Sequence, residues 1–186
     1  MKTLKRMMLP CILMVCLAFL GYAQQQPKKP AAKTATTEKA GKDASMLYKA
    51  TYSSDFEIGE KEMSKKILML WKAWDENEPA RHADFFADTV TMYFANGEVT
   101  KGKANVMAQA EKYRGSMTSA KSTIHAWIPL RSKDMNENWV AIWGTEEDTW
   151  KDGKKTVTEL HEVWKFNKDG KIDLMRQFEA KAPHGQ

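Results

Sequence analysis

The residues best placed to do chemistry are carboxylates inside strand-like segments. In residues 155–166, alternation puts Leu160, Glu162 and Trp164 on one face and His161 and Val163 on the other. A carboxyl group enclosed by apolar walls is desolvated, which raises its pKa. It is then suited to donate a proton or to anchor a polar group of a ligand. On an open face the same residue is a solvated partner for a cross-strand lysine. Glu147 is the second candidate. Trp139, Ala141, Trp143, Thr145, Glu147 and Thr149 alternate on one face of residues 139–150. A slip of one residue would exchange Glu147 for Glu146 and Asp148. Two carboxyls in one cavity can share a proton or divide acid and base roles; on a solvated strand they do neither.

Four tryptophans offer flat apolar surface. Trp71 and Trp74, with Trp143 and Trp164, suit the wall of a site for an aromatic or lipid-like ligand, or equally a plain core. Met175 and Gln177 share a face of the last strand and are candidate wall residues. The histidines are His82, His125, His161 and His184, and none has a neighbour at metal-ligand spacing. A metal site would need distant pairing, such as His125 with His161, so neither metal nor cofactor is expected. There is no Gly-rich phosphate loop and no Gly-x-Ser-x-Gly elbow.

These residues need elements to position them. Met63, Ile67, Leu70, Trp71 and Trp74 recur at helical spacing, which predicts a helix over residues 60–76. Asn77-Glu78-Pro79 breaks it and opens a second, shorter helix through Phe86, with Pro79 in its first turn. A third helix is predicted over 103–114. Strands are predicted over 90–94, 121–130, 139–150, 155–166 and 171–180. Ala95-Asn96-Gly97, Asp152-Gly153 and Asp169-Gly170 supply the turns. Helices followed by an antiparallel meander make an α+β domain.

The 186 residues allow one domain. Lys2, Lys5 and Arg6 precede an apolar run over 7–20 and the small-x-small site Gly21-Tyr22-Ala23. That is the layout of a signal peptide, residues 1–23, directing the chain to the periplasm or medium. The run is shorter than the ~20 residues of a membrane span, so no stable anchor remains after cleavage. Both cysteines, Cys11 and Cys16, lie in this leader. Residues 24–45 carry no large apolar side chain and read as a disordered linker. Residues 46–59 form an N-terminal arm, and the domain proper is 60–182. The net charge of +5 resides in the leader and linker. Residues 46–186 hold 21 Lys+Arg against 22 Asp+Glu, which excludes the basic footprint of a nucleic-acid binder.

Two segments carry a family resemblance. One is Phe86-Ala87-Asp88-Thr89-Val90-Thr91-Met92, followed by Gly97, Gly102 and Lys103; the other runs from Glu162-Val163-Trp164-Lys165-Phe166 through Asp169-Gly170 to Met175 and Phe178. In order and spacing, residues 60–180 resemble the nuclear transport factor 2-like superfamily, which includes SnoaL-like and ketosteroid isomerase-like domains. The resemblance implies a cone-shaped curved antiparallel sheet wrapped around N-terminal helices, the cystatin-like roll. It also implies an apolar pocket at the open end and a homodimer through the outer sheet face.

In that register Glu162, and in a gapless match Glu147, face inward. Ketosteroid isomerases of the superfamily use a carboxylate base, a tyrosine and a protonated acid. Those positions fall here on Phe94, near Leu70, and on Glu162, so one of the three survives. The reading that follows is a small-molecule-binding domain for an apolar or aromatic ligand, with Trp71, Trp74, Phe94, Trp143, Trp164, Met175 and Gln177 as walls and Glu162 as an acidic contact. Its rivals are an isomerase, dehydratase or hydrolase using Glu162 with Glu147 as acid and base, and a non-catalytic envelope interaction module whose cavity its own tryptophans fill.

Overall fold

Helix α1 (Lys61–Asp75) is the element the sheet wraps around. Ile67 is fully buried and Trp71 nearly so, while Lys61, Lys65 and Lys72 stay in water. Burying two such side chains contributes roughly 1.5–3 kcal/mol each. On the exposed side Glu62 pairs with Lys65 and Lys72 with Glu76. Each of these pairs adds only a few tenths of a kcal/mol, about what exposed helix pairs give. The helix ends before Asn77, which takes a left-handed φ of 60°.

The computed structural model describes residues 47–181. The expected signal peptide and linker, and His184, lie outside the described residues.

The second helix expected over 79–86 does not form. The segment is a chain of tight turns, Arg81 N–H to Glu78 O, Ala83 N–H to Ala80 O and Phe85 N–H to His82 O, ending in one 3-10 turn at Ala83–Phe85. Eight residues cannot offset the cost of nucleating a helix, and Phe86 is already committed to strand pairing with Ile172.

Among the described residues the sheet has seven strands: β1 (Phe56–Ile58), β2 (Phe86–Tyr93), β3 (Val99–Lys101), β4 (Met117–Ser132), β5 (Glu137–Trp150), β6 (Lys155–Phe166) and β7 (Ile172–Lys181), in the order β1-β4-β5-β6-β7-β2-β3. Helix α2 (Lys103–Arg114) sits between β3 and β4 in the chain. The meander β4 to β7 is antiparallel, and β1 extends it from the N-terminal arm. The sheet is mixed rather than wholly antiparallel, because β2 runs parallel to β7. Those two strands are joined through the whole meander, so no hairpin dictates their relative direction. Gly97, at φ 87°, makes the turn from β2 to β3. The core lies between α1 and the inner sheet face, where Val90, Val140, Ile142, Phe166 and Ile172 pack with Ile67 and Trp71.

Candidate functional site

Register decides which side chains face α1. Ile142 of β5 pairs directly with Glu162 of β6, and Gly144 with Leu160. Directly opposed residues share a face, so Ile142, Gly144, Glu146 and Asp148 face inward with Leu160, Glu162 and Trp164. Gly144 is required there. A Cβ at that position would stand 2.8 Å from both the Trp71 ring and the Thr123 carbonyl oxygen. Its absence lets the indole of Trp71 lie against the sheet.

Between α1, α2 and this inner face lies a cavity of about 430 Å3. The volume falls in the usual range for small-molecule sites. Its inner wall is hydrocarbon from Leu70, Phe86, Met92, Leu160 and Met175. Two carboxyl centres interrupt that wall.

The first centre is Glu162, 7% exposed. Its Oε2 accepts the indole N–H of Trp71 at 2.9 Å and of Trp164 at 3.1 Å, and its Oε1 accepts from Gln177 Nε2 at 3.2 Å. Burial raises its pKa, and these three donors only partly offset the rise.

The second centre is Glu146 with Asp148, two residues apart on the same face of β5. Trp74 Nε1 donates to Glu146 Oε1 at 2.8 Å. Burial, followed by the hydrogen bond and charge of Asp148, pushes the Glu146 carboxyl up to about 8. Burial also raises Asp148, while Glu146, Arg114 and Thr156 hold it down. Like-charged neighbours that share a site keep one proton between them.

Arg114 fixes the end of α1 beside this pair. Buried at 3% exposure, it donates through Nε to Trp74 O at 2.8 Å and through Nη2 to Asp75 O at 3.3 Å. It thereby satisfies carbonyls that a helix C-terminus leaves free. Asp75 Oδ1 in turn accepts from the backbone N–H and the hydroxyl of Ser122 on β4. Nothing in the local sequence marks Arg114, because its partners lie about 40 residues earlier.

Trp71, Trp74, Phe94, Glu162, Trp164, Met175 and Gln177 all line the cavity. Glu147 and Trp143 do not. Glu147 is exposed, and Trp143 lies on the outer face, stacked on His161 at 4.8 Å. The gapless match was one residue out, and with a period of two such a slip inverts the whole strand. Gly144 was the missed signal, a strand glycine marking close approach. His125 and His161 do not converge: His125 contacts Thr145 and Glu159, and His161 lies between Trp143 and Phe178. Leu70 and Phe94 add hydrocarbon to the cavity wall. Trp71 and Trp74 line the hollow and do not fill it.

The family model for the SnoaL-like domain matches residues 68–175, more than half of the chain. The chain belongs to the SnoaL-like domain family. SnoaL-like domains typically bind small molecules or act as cyclases or isomerases. Solved structures agree on the fold. A putative SnoaL-like polyketide cyclase from Shewanella denitrificans is 11% identical with a TM-score of 0.54, over 65% of this chain and 92% of that one. AusH from Aspergillus nidulans is 12% identical at 0.54, over 69% and 90%. The epoxide hydrolase/cyclase-like enzyme SalBIII is 15% identical at 0.54, over 64% and 92%. At these identities the likeness shows the shared fold alone. No curated protein matches the chain.

Proposed function

We propose that this SnoaL-like domain is an exported small-molecule-binding protein with an apolar pocket and an acidic contact at Glu162. One observation carries the reading. A cavity of about 430 Å3 opens against a buried carboxyl group held by three N–H donors from three different elements. Such preorganisation fixes an anchor before the ligand arrives and lowers the cost of binding. The basic start, short apolar run and Gly21-Tyr22-Ala23 support export. Native mass spectrometry of the mature chain tests binding. A copurified small molecule, one per chain, lost in Glu162→Ala, is the expected result; an empty cavity that takes up no member of a small-molecule panel would remove the proposal.

The Glu146–Asp148 pair favours a second reading, acid–base catalysis of the isomerase, dehydratase or hydrolase kind. A carboxyl raised towards neutral pH is suited to give and take a proton. On this reading Glu146→Gln retains ligand affinity and loses turnover; on the binding reading no turnover exists to lose.

We also propose a homodimer through the outer sheet face. Trp143, His161 and Phe178 stand in register across β5, β6 and β7, with Trp143 37% and Phe178 54% exposed. A contiguous aromatic row in water marks an interaction surface.

A further inference from the structure

The charged groups of the cavity are one-sided. Five carboxyl residues line it: Glu98, Glu146, Asp148, Glu162 and Glu179. Among the described residues no Lys, Arg or His does. The buried cation Arg114 is not part of the lining and is tied to the carbonyls of Trp74 and Asp75.

The indole donors of the wall are already engaged. Trp71 and Trp164 give their N–H to Glu162, Trp74 gives its own to Glu146, and Trp150 donates to Thr156 at 3.0 Å. Acceptors remain. Oδ1 of Asp148, on a residue 7% exposed, is buried with no hydrogen-bond partner. A buried acceptor without a partner is rare and costly. The proton shared with Glu146 can serve it, and so can a donor on a ligand.

The surroundings of that pair are aromatic. Trp74 and Tyr113 lie 6.2 Å apart and nearly parallel, and Trp150 meets Tyr113 edge-on at 5.5 Å. All three line the cavity with Glu146 and Asp148. Aromatic rings attract cations through their quadrupoles, and most strongly where water is excluded.

We infer that the ligand of this cavity is a small organic cation, its ammonium group seated against Asp148 and Glu146 and its apolar body lying along Trp74, Tyr113 and Trp150. Among the charged groups of the wall an anion would meet only carboxyls, and a neutral ligand without a donor would leave Asp148 Oδ1 unpaired. The inference rests on the binding reading above and adds the charge of the ligand to it.

Benzylammonium, its uncharged carbon isostere ethylbenzene and the anion phenylacetate test it, titrated into the mature chain by calorimetry with tryptophan fluorescence as a second readout. The expected result is binding of the cation at least about tenfold tighter than the isostere, consistent with one desolvated cation–π contact and a carboxylate, and no binding of the anion. Asp148→Asn, with its fold checked by circular dichroism, should lower the cation's affinity about tenfold and leave the isostere's unchanged. If the isostere or the anion binds as tightly as the cation, the charge assignment falls while the binding reading stands. If none of the three binds at millimolar concentration, both fall.

Discussion

The indole nitrogen of Trp71 lies 2.9 Å from Glu162 Oε2, a hydrogen bond between residues 91 positions apart. One helical turn on, Trp74 makes the equivalent bond to Glu146 at 2.8 Å. Helix α1 thus presents two indole donors, at i and i+3, to two carboxyl centres on adjacent strands. The helix and sheet are locked together by the same contacts that shape the cavity.

Glu162→Ala removes the acceptor of two indole N–H groups at once. Each buried donor left unsatisfied costs about 1–3 kcal/mol, so the variant should lose about 3–5 kcal/mol of stability. Glu162→Gln keeps one acceptor oxygen, and the Gln177 amide can turn its own oxygen towards the new NH2 group. That variant should lose only about 1 kcal/mol, the net worth of a typical hydrogen bond. Urea titration separates the two; equal losses would show that the indole bonds contribute little.

Stability should fall with rising pH. Glu146 starts from an ordinary value of 4.5 and is raised to about 8 in the fold, so the folded state binds more protons than the unfolded chain between those values. The stabilisation is full below 4.5 and is lost as pH rises towards about 8. Its slope is at most about 1.4 kcal/mol per pH unit for one proton. Glu162, raised in the same direction by burial, acts with the same sign. Glu146→Gln should flatten the profile and be the more stable protein at pH 8. Chemical denaturation across pH 5–9 reads both; a wild-type curve that rises over this window would refute the assignment.

Gly144→Ala tests how closely the helix approaches the sheet. The added methyl group meets the Trp71 ring and the Thr123 carbonyl at 2.8 Å. One contact is backbone and cannot yield cheaply, and overpacking of this kind costs about 1–3 kcal/mol. The displaced indole should also let go of Glu162, altering the near-UV circular dichroism. An unchanged spectrum and melting temperature would mean that the strand moves freely.

Trp143→Glu puts a charge into the exposed aromatic row without touching the cavity. Analytical ultracentrifugation should show the dimer dissociation constant rising at least about tenfold, roughly the 1.4 kcal/mol or more that an unpaired interfacial charge costs. Thermal stability of the monomer should stay within about 0.5 kcal/mol of wild type, as expected of a surface substitution. A wild-type chain that sediments as a monomer would end the proposal before the variant is made.

Local patterns in the chain determined a good deal. The 3.6-residue recurrence from Met63 to Trp74 specifies α1 and its buried face. Alternation around Glu162 specifies which neighbours it keeps, the Asp-Gly dipeptides punctuate the meander, and Asn96-Gly97 turns β2 into β3. These are short-range effects of backbone geometry and side-chain size, so they are written in consecutive residues.

Tertiary structure decided the rest. Whether Glu147 or Glu146 faces inward follows from the pairing of Ile142 with Glu162 and from the room Gly144 leaves for Trp71. Both β5 faces carry carboxyl and aromatic side chains, so polarity alone does not choose between them. The parallel contact of β2 with β7, the closure of α1 by Arg114 and the proton shared by Glu146 and Asp148 depend on distances and on water exclusion. No stretch of consecutive residues encodes those quantities, because they arise only when segments remote in the chain desolvate one another.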